Sequence, residues 1–255
     1  MLPLRLQLAF LLGLWLGLPL CQTTPAGAAT LTVTPTRVLF SPKTRSALVT
    51  LHNQGSEVLR LQLSMFAWDQ SPQGEMQITP SEDVVFFPTL LTLAPGEMRN
   101  IRIGPATPFA STEKTYRLFI EELPPLVTPT EAPTGIRILT RMGIPIFLQP
   151  AHVVQQGRIE GLAVRQGRLT FQVKNSGNVH FMEQAVRVRG VGGNDDSRFD
   201  HQEAGWYVLA GAARTRELAL PPEACASIRT LAVEVRMEKA ALQERLDVPP
   251  DTCTP

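Results

Sequence analysis

Short runs of alternating apolar and polar residues, each closed by Pro or Gly, recur about every ten residues along this chain. That rhythm is the pattern of a β-sandwich or barrel. Leu31 to Phe40 is rich in β-formers, and Pro35 limits it to an edge strand or one that switches partners. Ala47, Val49 and Leu51 alternate with polar neighbours before the turn Asn53-Gln54-Gly55. A longer run, Val58 to Trp68, is closed by Asp69 to Pro72 and Gly74. Phe86 to Leu93 ends at Ala94-Pro95-Gly96, Met98 to Ile103 follows, and Tyr116 to Leu123 stops at Pro124-Pro125. Helical periodicity is scarce, and Val233 to Leu246 is the stretch where helix and strand compete.

One segment departs from this rhythm. After the Pro-rich stretch from Pro124 to Pro133, the residues Ile136, Ile138, Thr140, Met142, Ile144, Ile146 and Leu148 share one parity. In an unbroken strand they line one face. The run of about 15 residues is far above the usual five or six, so it serves two neighbours or extends past its own sheet. Pro150 marks a boundary, and the strand pattern restarts beyond it. Arg158 to Val164, Arg168 to Lys174, Gln184 to Arg189, Arg216 to Leu220 and Leu231 to Arg236 read as strands. Asn175-Ser-Gly-Asn178 and the glycine-rich Gly190 to Asn194 read as turns between them. The expected organisation is a first sandwich over 29–150 and a smaller one over 151–255.

The N-terminus carries a different signal. Arg5 precedes an apolar run from Leu6 to Leu20, and Ala26-Gly27-Ala28 offers small residues to a signal peptidase. The run is too short for a comfortable transmembrane helix, which needs roughly 20 residues, so 1–28 reads as a removed secretion signal. A lipoprotein would acylate Cys21, but Leu20 stands where a small residue is expected. With 24 Lys+Arg against 23 Asp+Glu, the chain has no basic excess of the kind that marks a nucleic-acid binder. No second long apolar segment follows, so stable membrane insertion is not expected. Cys225 and Cys253 remain after the signal. In an oxidising compartment they are expected to form a disulfide that ties down the C-terminal tail.

Catalytic signatures are missing. There is no G-x-S-x-G elbow, no phosphate loop and no H-E-x-x-H pair. His52, His152, His180 and His201 are scattered, and His180, beside a turn, reads as a local hydrogen-bonder. Glu121 and Glu122 are adjacent on a strand and therefore point to opposite faces, which suits no acid/base couple. No enzyme activity, metal or cofactor is expected.

Taken in order, these pieces resemble the periplasmic chaperones of the pilus chaperone–usher pathway. The resemblance is carried by Val33-Thr-Pro-Thr-Arg37-Val38, Leu48-Val-Thr-Leu-His-Asn53, Trp68, and Leu93-Ala-Pro-Gly96 before Arg99 to Ile103. It continues through Tyr116-Arg-Leu-Phe-Ile-Glu-Glu-Leu-Pro-Pro125, the alternating strand ending at Gln149-Pro150, and Asn175-Ser-Gly-Asn178. It implies an all-β chain of two immunoglobulin-like sandwiches, located in the periplasm. The implied partners are pilus or fimbrial subunits and an outer-membrane usher.

In that family the long strand fills the groove of a subunit that lacks its last strand, a form of strand addition. By position, Ile136, Ile138, Thr140 and Met142 are the implied donor row. Two basic residues in the inter-domain cleft anchor the subunit's C-terminal carboxylate. Arg37 matches the first, while the second, a Lys in the long strand, falls here at Pro145. Arg117 is then the first substitute and Arg141 the second. The Ile144-Pro-Ile-Phe147 ending is closer to the archaic branch of the family. The alternative is a secreted sandwich that is itself a fibre subunit or adhesin, although Ala29 to Pro35 makes a poor donor extension. A carbohydrate-binding module would show clustered exposed aromatics, and only 6% of this chain is aromatic.

Overall fold

The structure, a computed structural model, describes residues 31–71, 73–126 and 138–253. The expected signal over 1–28 and Ile136 of the expected donor row lie outside the described residues. The first sandwich is built from β1 (Leu31–Thr34), β2 (Val38–Phe40), β3 (Ala47–Asn53), β4 (Leu59–Gln70), β5 (Met76–Pro80), β6 (Val84–Phe87), β7 (Leu90–Leu93), β8 (Met98–Pro105), β9 (Lys114–Leu123) and β10 (Arg141–Leu148). Pro35 cannot donate to a ladder, and the chain changes sheets around it. β1 pairs antiparallel with β3 in the sheet β1-β3-β8-β6, whereas β2 pairs parallel with β10 in the sheet β2-β10-β9-β4-β5. The inward rows meet face to face. Val49, Leu51, Ile101 and Ile103 come from one sheet, and Leu61, Leu63, Leu118, Ile120, Ile144 and Ile146 from the other, all buried.

The second sandwich holds β11 (Gly157–Arg165), β12 (Arg168–Asn175), β13 (Phe181–Val191), β14 (Ser197–Ala204), β15 (Tyr207–Val208), β16 (Ala213–Ala219), β17 (Thr230–Met237) and β18 (Ala241–Asp247). Its sheets run β11-β12-β16 and β14-β13-β17-β18. The stretch where helix and strand competed is the β17–β18 hairpin. Leu231, Val233 and Val235 bury alternate positions of β17 in the second core, a period of two that no helix can present to one side. Gly190 is a strand residue rather than part of the expected turn. A Cβ there would lie 2.6 Å from Ile228 Cδ1, so glycine lets that side chain reach the core. The short helix α1 (Pro222–Ser227) carries Cys225, which is disulfide-bonded to Cys253 in the turn at the C-terminal end.

Each sandwich contains the same buried device at an N-x-G turn. Asn53 Nδ2 donates to the carbonyls of Glu57 (2.7 Å), Leu93 (3.1 Å) and Ala94 (3.1 Å), while its Oδ1 accepts from Gly55 N. Asn175 Nδ2 donates to the carbonyls of Val179 (2.8 Å) and Val208 (3.0 Å), and its Oδ1 accepts from Gly177 N. One amide bonds a carbonyl of its own turn and one of a distant strand and so pins the two together.

A separate aromatic cluster joins the two sandwiches. Trp68 and Phe147 from the first pack on Tyr207 and Leu209 from the second. Gln70 extends the contact in strand-like fashion, its Nε2 donating to the Tyr207 carbonyl (2.8 Å) and its Oε1 accepting from Leu209 N (2.9 Å). His180 is not the local hydrogen-bonder expected from sequence. It crosses to the other sandwich, where its backbone N–H donates to Glu113 Oε1 (2.9 Å), its Nδ1 lies 2.7 Å from that oxygen, and its ring stacks on Phe147 at 3.7 Å.

Asn53→Ala removes three donated bonds and strands buried carbonyls. It is expected to lower stability by about 2–4 kcal/mol in urea unfolding, with Asn53→Asp no rescue because a carboxylate cannot donate. Replacing Cys225 and Cys253 by Ser opens a loop with a sequence separation of 28. In the chain-entropy account this should destabilise the second sandwich by about 3–4 kcal/mol, measured by differential scanning calorimetry.

Candidate functional site

The outer face of the β2-β10-β9-β4-β5 sheet turns toward the second sandwich. Across it, Phe66 on β4, Arg117 on β9 and Pro145 on β10 stand in one row of directly paired residues. Pro145, where the resemblance placed a Lys, therefore faces Arg117 across the ladder.

Arg117 is 7% exposed. Its guanidinium carbon lies 4.1 Å from the centre of the Trp68 ring and 5.4 Å from that of Trp206. Nη1 donates to the Gly143 carbonyl at 3.3 Å, while Nε and Nη2 are buried without a hydrogen-bond partner. Desolvation pulls its pKa below the ordinary arginine value, partly offset by the Tyr207 hydroxyl. Gly143 clears the space beside it, because a Cβ there would lie 3.0 Å from Phe119 Cε1 and 3.3 Å from Nη1. The other candidate arginines are elsewhere. Arg141 is held by Glu121 Oε1 at 2.6 Å and lies over the Phe119 ring. Arg37, in the connection from β1 to β2, keeps a 43%-exposed side chain with Nη2 3.9 Å from Glu238 Oε1 of the second sandwich. A pair so exposed contributes little.

The long parity row divides along its length. Ile144, Ile146 and Leu148 fill the first core and Met142 packs against its margin. Met142 is thus tied to this protein's own core more than its place in the expected donor row implied. At Thr140 the ladder to β9 ends, with Glu122 N donating to the Thr140 carbonyl (2.8 Å) and Thr140 N to Glu122 Oε2 (3.3 Å). Ile138 is 84% exposed. The described strand starts at Arg141, opposite Glu121 of β9, and 127–137 of the expected long strand lie outside the described residues. On its other edge β10 is covered by β2 only at Ile146 to Leu148. Among the described residues, Arg141 to Pro145 therefore present an open edge beside the Arg117 site.

Sequence reasoning did not find Trp206, Gln70 or the buried cluster behind them. Glu183 is fully buried and Oε2 accepts from Arg214 Nη1 (2.8 Å), Arg216 Nη2 (2.5 Å) and Trp206 N (3.4 Å). Glu183 N donates to the Trp206 carbonyl (3.0 Å), and a Cβ on Gly205 would lie 2.1 Å from the Glu183 carbonyl oxygen. Glycine at 205 is the available signal, since only the absence of a side chain allows that approach.

Residues 30–154 match the family described as "Pili and flagellar-assembly chaperone, PapD N-terminal domain". The chain is 28% identical over 141 residues to the chaperone protein FimB/FhaD of Bordetella pertussis, a match covering 51% of this chain and 55% of that protein. The chain thus spans about half the length of that curated relative. Its fold is similar to the CsuC–CsuE chaperone–tip adhesion subunit pre-assembly complex from the archaic chaperone–usher Csu pili of Acinetobacter baumannii, with TM-score 0.57, 17% identity, and 84% of this chain and 98% of that one covered. It is also similar to the Salmonella enterica SafA pilin in complex with the SafB chaperone, with TM-score 0.56, 16% identity, and 86% and 97% covered. Residues 30–154 thus match the PapD N-terminal chaperone domain, and the described residues share the two-sandwich fold of these structures.

Proposed function

We propose that this chain is a periplasmic chaperone that captures pilus or fimbrial subunits by donor-strand complementation and passes them to an outer-membrane usher. The observation that carries this reading is the open edge of β10 from Arg141 to Pro145, continued by an exposed Ile138 of the same parity as the core row. A subunit lacking its last strand needs main-chain partners together with apolar side chains at alternate positions. The Ile136, Ile138, Thr140 and Met142 row supplies the side chains, and each large apolar one fully buried contributes about 1.5–3 kcal/mol. Arg117 receives the subunit's C-terminal carboxylate on its vacant Nε–Nη2 edge, and Arg37 adds a second, solvated positive charge. The sandwich over 29–150 provides the strand, and 151–255 closes the other wall of the cleft.

Two substitutions test this reading against an ordinary sandwich. Ile138→Asp should leave the free protein's melting curve within about 0.5 kcal/mol of wild type, because the side chain is exposed. Co-purification of subunit from the periplasm should be lost, since the carboxylate would enter an apolar groove. A mutant that still binds removes Ile138 from the row. Arg117→Met keeps length and an aromatic contact while removing a buried, incompletely paired charge. Stability should stay level or rise by up to about 2 kcal/mol while subunit capture disappears. Arg117→Met that still co-purifies subunit would show that the anchor lies elsewhere.

A further inference from the structure

We propose that Trp206, supplied by the second sandwich, shields the Arg117 guanidinium and must be displaced by a carboxylate before that carboxylate can pair with Nε and Nη2. The inference rests on the reading of Arg117 as the carboxylate anchor. This protein already contains the geometry such pairing takes. On the exposed face of the second sandwich, Arg187 holds Asp200 with the same guanidinium edge, Nε to Oδ1 at 2.8 Å and Nη2 to Oδ2 at 2.5 Å. In Arg117 that edge is empty, and both of its nitrogens are buried. A donor fork built for two charge-assisted bonds is therefore closed to any ligand until something moves.

The two rings over the guanidinium differ in their freedom to move. Trp68 is 3% exposed and held by Phe147 and Tyr207, with ring centroids at 6.1 and 5.4 Å. Trp206 is 40% exposed, and its ring meets Tyr207 edge-on at 5.5 Å. Its backbone is fixed on both sides of the residue by Glu183 and by the close approach at Gly205. A tryptophan with an anchored backbone and a partly solvated ring can swing about its side-chain torsions without moving a strand. Its contact with Arg117 is a cation–π interaction, weaker than the paired hydrogen bonds a carboxylate offers. A small anion in solution gains only that exchange. A carboxylate on the end of a strand that also pairs with β10 brings further contacts, so the shield favours chain termini over free anions.

Accessibility of Arg117 to the arginine reagent phenylglyoxal, followed by peptide mass mapping of the full chain, tests this directly. Arg99, whose side chain is 61% exposed, is the internal reference. In the wild type, Arg117 should react at least about tenfold more slowly than Arg99, and Trp206→Ala should bring the two to within about threefold. Trp206→Phe should restore most of the protection, and circular dichroism should report the same strand content in all three proteins. Hexanoate should then slow modification of Arg117 in Trp206→Ala, whereas chloride at equal ionic strength should not. Arg117 as reactive as Arg99 in the wild type, or unchanged by Trp206→Ala, overturns the shield. An Arg117 that becomes reactive yet gains nothing from hexanoate overturns it as well, because there is then no carboxylate to admit. Failure of the anchor itself has a different readout, the subunit still captured by Arg117→Met.

Discussion

Trp68 is the contact on which the cleft depends. It stands near the end of the long strand β4, and its ring is buried against Phe147 from β10 and Tyr207 from β15. It thereby ties β4 and β10 to the second sandwich. Gln70, two residues on and on the same face of the strand, completes the junction by bonding the backbone on either side of Val208. Arg117 acquires its low exposure from this packing. Its own strand would leave it on a solvent face, and only the second sandwich brings Trp206 over it. The electrostatic character of the site is thus a consequence of aromatic packing between domains.

Burial of polar groups at this junction is incomplete, and the pattern of incompleteness is informative. Glu113 bonds His180 through one carboxylate oxygen and leaves the other without a partner, as Arg117 leaves Nε and Nη2. Apolar side chains of similar volume would satisfy such positions at least as well for stability alone. Glu183 divides in the same way, with one oxygen gathering two arginines and the Trp206 N–H and the other buried without a partner. Polar groups at the rear of the cleft and at its mouth alike keep unused hydrogen-bonding capacity.

Much of the fold was legible because its signals are local. Pro35 announces the change of sheet, alternation assigns the inward rows, and Pro and Gly mark the turns. The N-x-G motif at Asn53 and Asn175 stands twice in the sequence. Its meaning appears only when the amide is seen reaching Leu93 in one case and Val208 in the other, contacts 40 and 33 residues away. The site was legible only in part for the same reason. Arg117 could be named from its strand position, and the structure pairs it with Pro145 and buries it beside two indoles. Trp206, Gln70 and the Glu113–His180 bond depend on how two sandwiches meet, and no periodicity in either one encodes that. At the long strand, 138–140 carry the alternation outside β10, and Ile136 lies outside the described residues. A pattern of parity shows which face a residue would occupy, but it does not show whether a neighbouring strand exists to pair with it.

That last distinction bears on how one row of side chains passes from a core into solvent. From Ile144 to Leu148 the even-numbered residues are committed to the first sandwich, Met142 lies at its margin, and Ile138 lies beyond it. Burial falls along a single face as the pairing strands end, β2 at Ile146 on one edge and β9 near Thr140 on the other. The residues that remain exposed keep the alternation of a buried strand without the sheet that would bury it. An unpaired apolar edge of this kind is an aggregation hazard when it is long and regular. Here Pro145 interrupts the donor series on β10, and the charged side chain of Arg141 stands at its open end, both of which discourage pairing with an arbitrary strand. A partner that tolerates the missing N–H at Pro145 and accepts the apolar row meets fewer obstacles than a second copy of the same edge. The open edge of β10 is therefore restricted by its own residues rather than by a covering strand.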